Sequence, residues 1–475
     1  MRMRWKAAAI GAAALLAAAL GASPAQAAEQ TFTNGTQIIT TDGSVMHAHG
    51  GGVIKEGGYY YMLGEHRVDG GSLFEAVSMY RSSDLVHWTH VNDILTKDSD
   101  PALDPANLER PKVIYNAEYD HYVLWAHKEN GSDYGDAEAA VAVSDTIDGD
   151  YTYQGSFRPL GHMSRDQTVF VDDDGTGYLI SAANENYDLH IYRLTDDYLG
   201  VEELLYSFDG DHREAPAIFK RNGVYFLVTS GATGWNPNQA QYATTTSFPT
   251  GWSGWQNFGN GTTYNSQSTY VLEVAGSQQT SYMYMGDRWA GATGGTPNES
   301  TYVWLPLRFP SNNTLAMDWY SQITIDTATG VVEGAGGGGQ VTDIVNRNSG
   351  KCVDVVNGST ADGAEIIQYD CHGGANQQWM LQDAGGGYYQ IISQASGKCL
   401  DIDGASTSNS ARAIQWPCNG QTNQQWEVRD AGGGHVELVA RHSGKCLDVI
   451  DSSTANGTRL QQYDCWGGAN QQWSL

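Results

Sequence analysis

The placement of the six cysteines constrains this chain more than any other feature of it. They form three pairs, Cys352/Cys371, Cys399/Cys418 and Cys446/Cys465, whose members are separated by 19 residues and whose first members recur every 47. The same period of 47 carries Asp354, Asp401 and Asp448, and also Trp379, Trp426 and Trp473, each preceded by Gln-Gln. Such a repeat predicts a structure assembled from three copies of one unit, each too small to bury its apolar face alone. In an exported protein evenly spaced pairs imply disulfides, and pairing within each repeat is the simplest of the connectivities open to six cysteines. Zinc is a poor alternative, because no Cys-x-x-Cys spacing occurs.

Export is itself expected. Arg2, Arg4 and Lys6 precede an Ala/Leu run from Ala7 to Leu20 and the small-residue site Ala25-Gln26-Ala27, so residues 1–27 read as a signal peptide and the mature chain as starting at Ala28. No later apolar run reaches the ~18 residues that span a bilayer. With 26 Lys+Arg against 54 Asp+Glu the net charge is -28, which repels nucleic-acid phosphates and anionic membranes. A neutral polymer remains acceptable. Aromatics reach 11% while charged residues are only 17%, a profile of turn-rich β structure with rings that could stack on sugars.

The three repeats, each with a Gln-x-Trp element and a cysteine pair, resemble the ricin-B-type β-trefoil, the family 13 carbohydrate-binding module, over residues 340–475. The resemblance implies one sugar site per lobe, made of an Asp after the first Cys, an aromatic before the second and an Asn before Gln-x-Trp. These are Asp354, Tyr369 and Asn376; Asp401, Trp416 and Asn423; and Asp448, Tyr463 and Asn470. A carboxylate fixes paired hydroxyls, an aromatic stacks on the ring and an amide completes the polar contacts. Galactose-binding relatives add a Gln two residues before the aromatic; here that slot holds Ile367, Ile414 and Gln461, so only the third lobe is complete.

Residues 28–333 contain no cysteine, and the Gly-rich run 334–339 reads as a flexible linker to the trefoil. Units of an apolar strand, a polar turn and an aromatic strand begin near Val53, Val113, Val169, Ile218 and Val271; one example is Ala217-Ile218-Phe219-Lys220, the turn Arg221-Asn222-Gly223, then Val224-Tyr225-Phe226-Leu227. Five such units predict a five-bladed β-propeller, so the whole chain is expected to be all-β, a propeller followed by a trefoil. The innermost strands of a propeller line its channel. At one phase, just ahead of each strand start, stand His49, Glu109, Asp166, Glu214 and Gln267, a ring expected to converge on one mouth.

This part resembles glycoside hydrolase family 43, five-bladed propellers of inverting glycosidases, through His212-Arg213-Glu214-Ala215-Pro216 and Arg165-Asp166. The finer resemblance is to the exo-β-1,3-galactanase subgroup, through His47-Ala48-His49-Gly50-Gly51-Gly52, Gly64-Glu65, Glu109-Arg110-Pro111-Lys112 and Ser266-Gln267-Ser268-Thr269. It implies Glu214 as general acid, Asp166 as the residue that tunes it, and Gln267 as the group that handles the attacking water. The wider family places an Asp base in the first repeat, where this chain has His49. By chemistry alone Glu109 is the better base, since an amide has little basicity near neutral pH; by resemblance Glu109 holds sugar hydroxyls. Glu65, Tyr134, Asn184 and Trp235 are further pocket candidates.

The expected protein is therefore a secreted, monomeric exo-β-1,3-galactanase acting on β-1,3-galactan and arabinogalactan polysaccharides. No cofactor is required, and the reading leaves room for a structural calcium in the channel. Asp172-Asp173-Asp174-Gly175-Thr176-Gly177 reads as a hairpin turn rather than a calcium loop. The rivals are an arabinofuranosidase or β-xylosidase on the same propeller, and a non-catalytic secreted lectin.

Overall fold

The computed structural model describes residues 29–335 and 341–475; the signal-peptide reading of 1–27 and most of the linker reading, 336–339, fall outside them. Gly334 and Ala335, assigned to the linker from sequence, lie in the strand Val331–Ala335. Among the described residues the only helices are single 3-10 turns, and none is long and apolar enough to cross a membrane.

Five four-stranded antiparallel sheets follow one another along residues 49–317. Their first strands are His49–Glu56, Asn107–Asn116, Gln167–Val171, Arg213–Arg221 and Gln267–Ala275. Each packs against the next and the fifth returns to the first, so they ring a central axis. The repeat seen in the sequence is this hairpin unit. In the Arg221-Asn222-Gly223 turn both Asn222 (φ 49°) and Gly223 (φ 76°) are left-handed, the conformation that two-residue hairpins need.

The sheets in this region number six, a correction to the five expected. The sixth is three-stranded and joins Gln30–Thr33 to Gln322–Asp326 and Val331–Ala335. Its strands come from opposite ends of the region, so no local repeat announces it. What holds it is burial: Phe32, Ile323, Ile325 and Val332 share one apolar cluster with Tyr60, Met62, Met283 and Trp304, and Phe32 stacks on Trp304 at 4.3 Å.

Four of the five first strands share one irregularity. Register shifts fall between His49 and Gly52, Glu109 and Lys112, Glu214 and Ala217, and Ser268 and Tyr270. In three of them the bulged residue has positive φ, at Gly50 (65°), Arg110 (52°) and Ala215 (53°). A bulge adds a residue and re-aims its neighbours, which is how a strand rim turns polar side chains towards a shared mouth.

In the C-terminal part the three disulfides join Cys352 to Cys371, Cys399 to Cys418 and Cys446 to Cys465. Trp379, Trp426 and Trp473 are fully buried at the centre, and their indole N–H groups donate to the carbonyls of Val353, Leu400 and Leu447 at 2.9, 3.0 and 3.3 Å. A second set on the same period locks the lobes cyclically. The buried amides of Gln368, Gln415 and Gln462 donate to the carbonyls of Ser453, Ser359 and Ser406, each in another lobe. The two parts of the chain touch where Trp319 packs on Met380, Ile392 and Cys399.

Candidate active site

The mouth of the ring holds a cavity of about 250 Å³, lined among others by Glu65, Glu109, Tyr134, Asp166, Glu214, Trp235 and Gln267. Seven residues expected from sequence are thus brought together. Two are not. His49 lies beneath the cavity, its Nδ1 2.8 Å from Asp287 Oδ1 and its ring stacked on Tyr302 at 4.3 Å; Glu65, its cross-strand partner, reaches the cavity instead. Gly50 makes this entry possible, since a Cβ there would lie 2.2 Å from Glu65 Oε1. Asn184 is also displaced: its amide donates to Asp188 Oδ2 at 3.1 Å, while Asn186 lines the cavity. Asn184, Glu185 and Asn186 all have positive φ, and this tight turn carries the later asparagine to the pocket.

Glu214 is the centre of the polar network. It is buried, Oε1 accepts from Gln267 Nε2 at 2.9 Å, and Oε2 accepts from Asn186 Nδ2 at 3.1 Å. Burial first, and then the charge of Asp166, push its pKa up to about 8, against the weaker opposing pull of Arg110 and Gln267. A carboxyl group in this state carries its proton at neutral pH. Asp166 accepts from the backbone N–H of Ala215 at 3.1 Å and lies 3.3 Å from the Arg110 guanidinium.

Glu109 is the opposite case. Its burial raises the pKa, but the His127 imidazole, the Arg67 guanidinium and the Tyr134 hydroxyl together hold it well below the usual carboxylate range. Arg67 Nη2 donates to Oε1 at 3.0 Å, Tyr134 Oη donates to the same oxygen at 2.6 Å, and His127 Nδ1 stands 3.3 Å from Oε2. His127 is in turn pushed up to about 9, burial notwithstanding, by Glu109 and Glu129. Glu65 accepts from Arg67 Nη2 at 2.5 Å and from the Arg110 backbone N–H at 2.9 Å, and burial raises its pKa.

Gln267 is held at both ends. Its Oε1 accepts from Trp289 Nε1 at 2.8 Å and from Arg110 Nη2, and its Nε2 donates to Glu214 and, at 2.9 Å, to Ser230 Oγ. Four donors and acceptors fix which way the amide faces. At the rim Trp235 and Tyr134 remain 43% and 42% exposed, rings free to stack on a sugar, and Trp235 meets Trp289 edge to face at 5.5 Å.

The residues that sequence reasoning missed are mostly cations and aromatics: Arg67, Arg110, His127, Asn186 and Trp289. Arg110 and Trp289 sit one and two residues from residues that invite attention, Glu109 and Asp287, and adjacency to a bulge is the signal that could have found Arg110. Asp287 is the carboxylate beside His49, but it is 2% exposed and accepts from His49, from Gly50 N–H at 2.6 Å and from Thr269 Oγ1 at 2.8 Å. The residues of the channel do not fit the structural calcium considered from sequence. The Lys112 side chain occupies it, between Gly52 and Tyr270, with Nζ donating to the Gly50 carbonyl at 2.7 Å. The Asp172–Gly177 segment is a hairpin turn, and Lys220 Nζ lies 2.8 Å from both Asp172 Oδ1 and Asp173 Oδ2.

In each trefoil lobe a buried Asp accepts from two amides: Asp354 from Asn376 and Gln377, Asp401 from Asn423 and Gln424, Asp448 from Asn470 and Gln471. Beside them Tyr369, Trp416 and Tyr463 are 42%, 42% and 39% exposed. Asp448 also accepts from Gln461 Nε2 at 2.9 Å. The lobes differ in what is left over. Gln461 Oε1 and Asn470 Oδ1 are buried without a partner in the third lobe, Asn423 Oδ1 in the second, and neither equivalent in the first. Sequence reasoning also missed Trp466 in the third lobe, which is 61% exposed.

Comparison with known proteins follows the same division. Residues 52–280 match the profile of glycosyl hydrolases family 43, and 329–416, 383–463 and 422–475 match that of the ricin-type beta-trefoil lectin domain-like family. A curated xylan 1,3-beta-xylosidase from a Vibrio species is 23% identical over 177 residues, 33% of this chain, and the match spans only 32% of that relative. The crystal structure of an exo-beta-1,3-galactanase from Phanerochaete chrysosporium, a variant with beta-1,3-galactotriose, is 27% identical with a TM-score of 0.62, covering 94% of this chain and 92% of that one. An exo-beta-1,3-galactanase from Clostridium thermocellum is 49% identical with a TM-score of 0.69, covering 94% of this chain and 99% of that one. With that identity over both parts, the chain belongs to glycosyl hydrolases family 43 and carries a ricin-type lectin-like module at its C-terminus.

Proposed function

We propose that this chain is a secreted, inverting exo-glycosidase that releases galactose from β-1,3-galactan backbones of arabinogalactan-type polysaccharides, with residues 28–333 catalytic and the trefoil of 340–475 holding the polymer. The observation that carries the reading is the pairing of a buried acid held protonated, Glu214, with a carboxylate held ionised, Glu109, in one cavity with room for about one sugar ring. The resemblance to the two exo-β-1,3-galactanases supplies the linkage and the sugar.

In this reading Glu214 donates its proton to the leaving glycosidic oxygen and Asp166 keeps that proton in place until it is needed. Gln267, fixed by Arg110 and Trp289, is the candidate for positioning the attacking water. Glu109, Glu65 and Tyr134 hold hydroxyls, and Trp235 stacks on the ring. Two donors on Glu109, Arg67 and Tyr134, and the His127 imidazole beside it make it a poor proton acceptor, which suits a hydroxyl ligand better than a base. A β-xylosidase or arabinofuranosidase of the ordinary two-carboxylate kind would need a free carboxylate in the first repeat, where this chain has His49, and the carboxylate beside it, Asp287 of the fifth sheet, is buried and saturated.

Product analysis on β-1,3-galactan, β-1,4-galactan, arabinan and xylan tests the substrate. Galactose from the first alone, appearing initially as the α-anomer by NMR, is expected; xylose or arabinose as the main product would overturn it.

Two further outcomes follow from the site. Asp166→Asn removes the like charge and frees Arg110 to face Glu214, and both changes favour the ionised acid. Because Glu214 works only when protonated, kcat/KM should fall as pH rises through about 8 in the parent, and in the variant the alkaline limb should move to lower pH. An unmoved limb in a full pH–rate profile would separate Asp166 from Glu214. In the trefoil, Tyr463→Ala removes an exposed ring without touching the buried network, and Asp448→Ala removes the carboxylate itself. Each should weaken retention on an insoluble galactan gel by about 5–10-fold and leave hydrolysis of trisaccharides unchanged. Retention equal to the parent would move the principal site to another lobe.

A further inference from the structure

Outside the cavity, three potential ligands gather on the third sheet. One ligand atom each of Asp188, His190 and Asp209 lies within 4.8 Å of the others. Asp188 and His190 are two apart on the strand Asp188–Leu194 and so share a face. Asp209 follows Phe208, which pairs with Leu189, and this places the two aspartates side by side at the end of the ladder. Like charges in that position destabilise a sheet unless something intervenes. Asp188 accepts only amide donors, from Asn184 at 3.1 Å and Gly210 N–H at 2.8 Å, and Asp209 accepts from the Ser207 hydroxyl. Among the described residues neither forms an ion pair with Lys or Arg.

The histidine is prepared for a ligand. His190 is 5% exposed, and its Nδ1 lies 2.7 Å from Tyr192 Oη, which leaves Nε2 as the free nitrogen. A hydrogen bond to one ring nitrogen is what orients a metal-binding imidazole and fixes its tautomer. His162 stands edge-on to the same ring, centroids 5.0 Å apart, and is exposed enough to turn in. We infer that Asp188, His190 and Asp209, completed by His162, form a site for one divalent transition ion, zinc by the softness of a mixed imidazole and carboxylate set. Tetrahedral zinc places its ligand atoms about 3.3 Å apart, so binding would draw in the three ligand atoms, now within 4.8 Å of one another, and turn His162 towards them.

The place of this site gives it a consequence. Asp188 ends the turn whose Asn186 donates to Glu214, and Asp209 begins the segment that leads through Gly210 and His212 into Glu214 itself. A bound ion would tie together the two segments that flank the acid. It shares no residue with the cluster of Glu109, His127 and Asp166 in the cavity, whose carboxylates are already paired with Arg67 and Arg110.

Calorimetric titration of EDTA-treated full-length protein with zinc chloride tests the site, with cobalt(II) absorption as a second readout. One ion per chain is expected, with a visible cobalt spectrum of low-symmetry coordination and a raised melting temperature. Asp209→Asn and His162→Ala alter exposed side chains, so both should fold, and each should weaken zinc binding at least about tenfold and change the cobalt spectrum. Zinc bound with unchanged affinity by both variants, or no binding by the parent at millimolar zinc, would overturn the assignment.

Discussion

Glu214→Gln is expected to lower kcat on β-1,3-galactan by about 10²–10⁴-fold, the usual contribution of a positioned general acid, with little change in KM. The substitution is nearly isosteric, and the carbonyl of the new amide still accepts from Gln267 or Asn186, so the cavity keeps its shape. What it loses is the proton that burial and Asp166 hold on the side chain at neutral pH. That loss should depend on the leaving group. An aryl β-galactoside departs without protonation and should be hydrolysed by the variant at a rate much closer to the parent's. Steady-state kinetics on both substrates decide the matter, and a variant that retains parent-like turnover of galactan removes Glu214 from the acid's role.

The second large effect is expected at Gln267. Gln267→Ala should lower kcat severely, on the order of 10²-fold or more, and leave KM broadly intact, because a contact that matters in the transition state affects turnover more than ground-state binding. Glu109→Gln should raise KM as well as lower kcat, as befits a group that holds hydroxyls already in the ground state. Azide separates the two roles, since a small nucleophile replaces activated water only where the missing group did the activating. Rescue of Gln267→Ala, with a glycosyl azide as product, is the expected result. Rescue of Glu109→Ala alone would make Glu109 the base and reduce Gln267 to an anchor of Glu214.

Much of this was legible in the sequence because repetition makes structure visible. The period of 47 marks every lobe of the trefoil, and the common phase of Glu109, Asp166, Glu214 and Gln267 marks the mouth of the ring. The failures share a cause as well. His49 stands at the same phase before a bulge as Glu109 and Glu214, but it turns to Asp287 and its cross-strand partner Glu65 takes the place at the mouth, and an apolar pattern does not show which member of such a pair reaches the axis. Three consecutive left-handed residues had the same effect on Asn184 and Asn186. Arg67 and Arg110 were missed for another reason: their importance lies in the carboxylates they meet from distant strands, and a guanidinium carries no local signature of its partner. The sixth sheet escaped because it repeats nothing.

That sheet also sets an order of events. Gln30–Thr33 is synthesised before its partner Gln322–Asp326, which follows some 290 residues later. Until then Phe32 has no Trp304 to stack on and the first strand has no neighbour to bond. The loop to be closed is nearly the whole region, the slowest kind of contact a chain can make. This pairing therefore closes the longest loop in the region, like a belt whose buckle is sewn to its first end. Anything attached ahead of Gln30 bears on that buckle more than on the pocket, although the two lie on one molecule and serve one reaction.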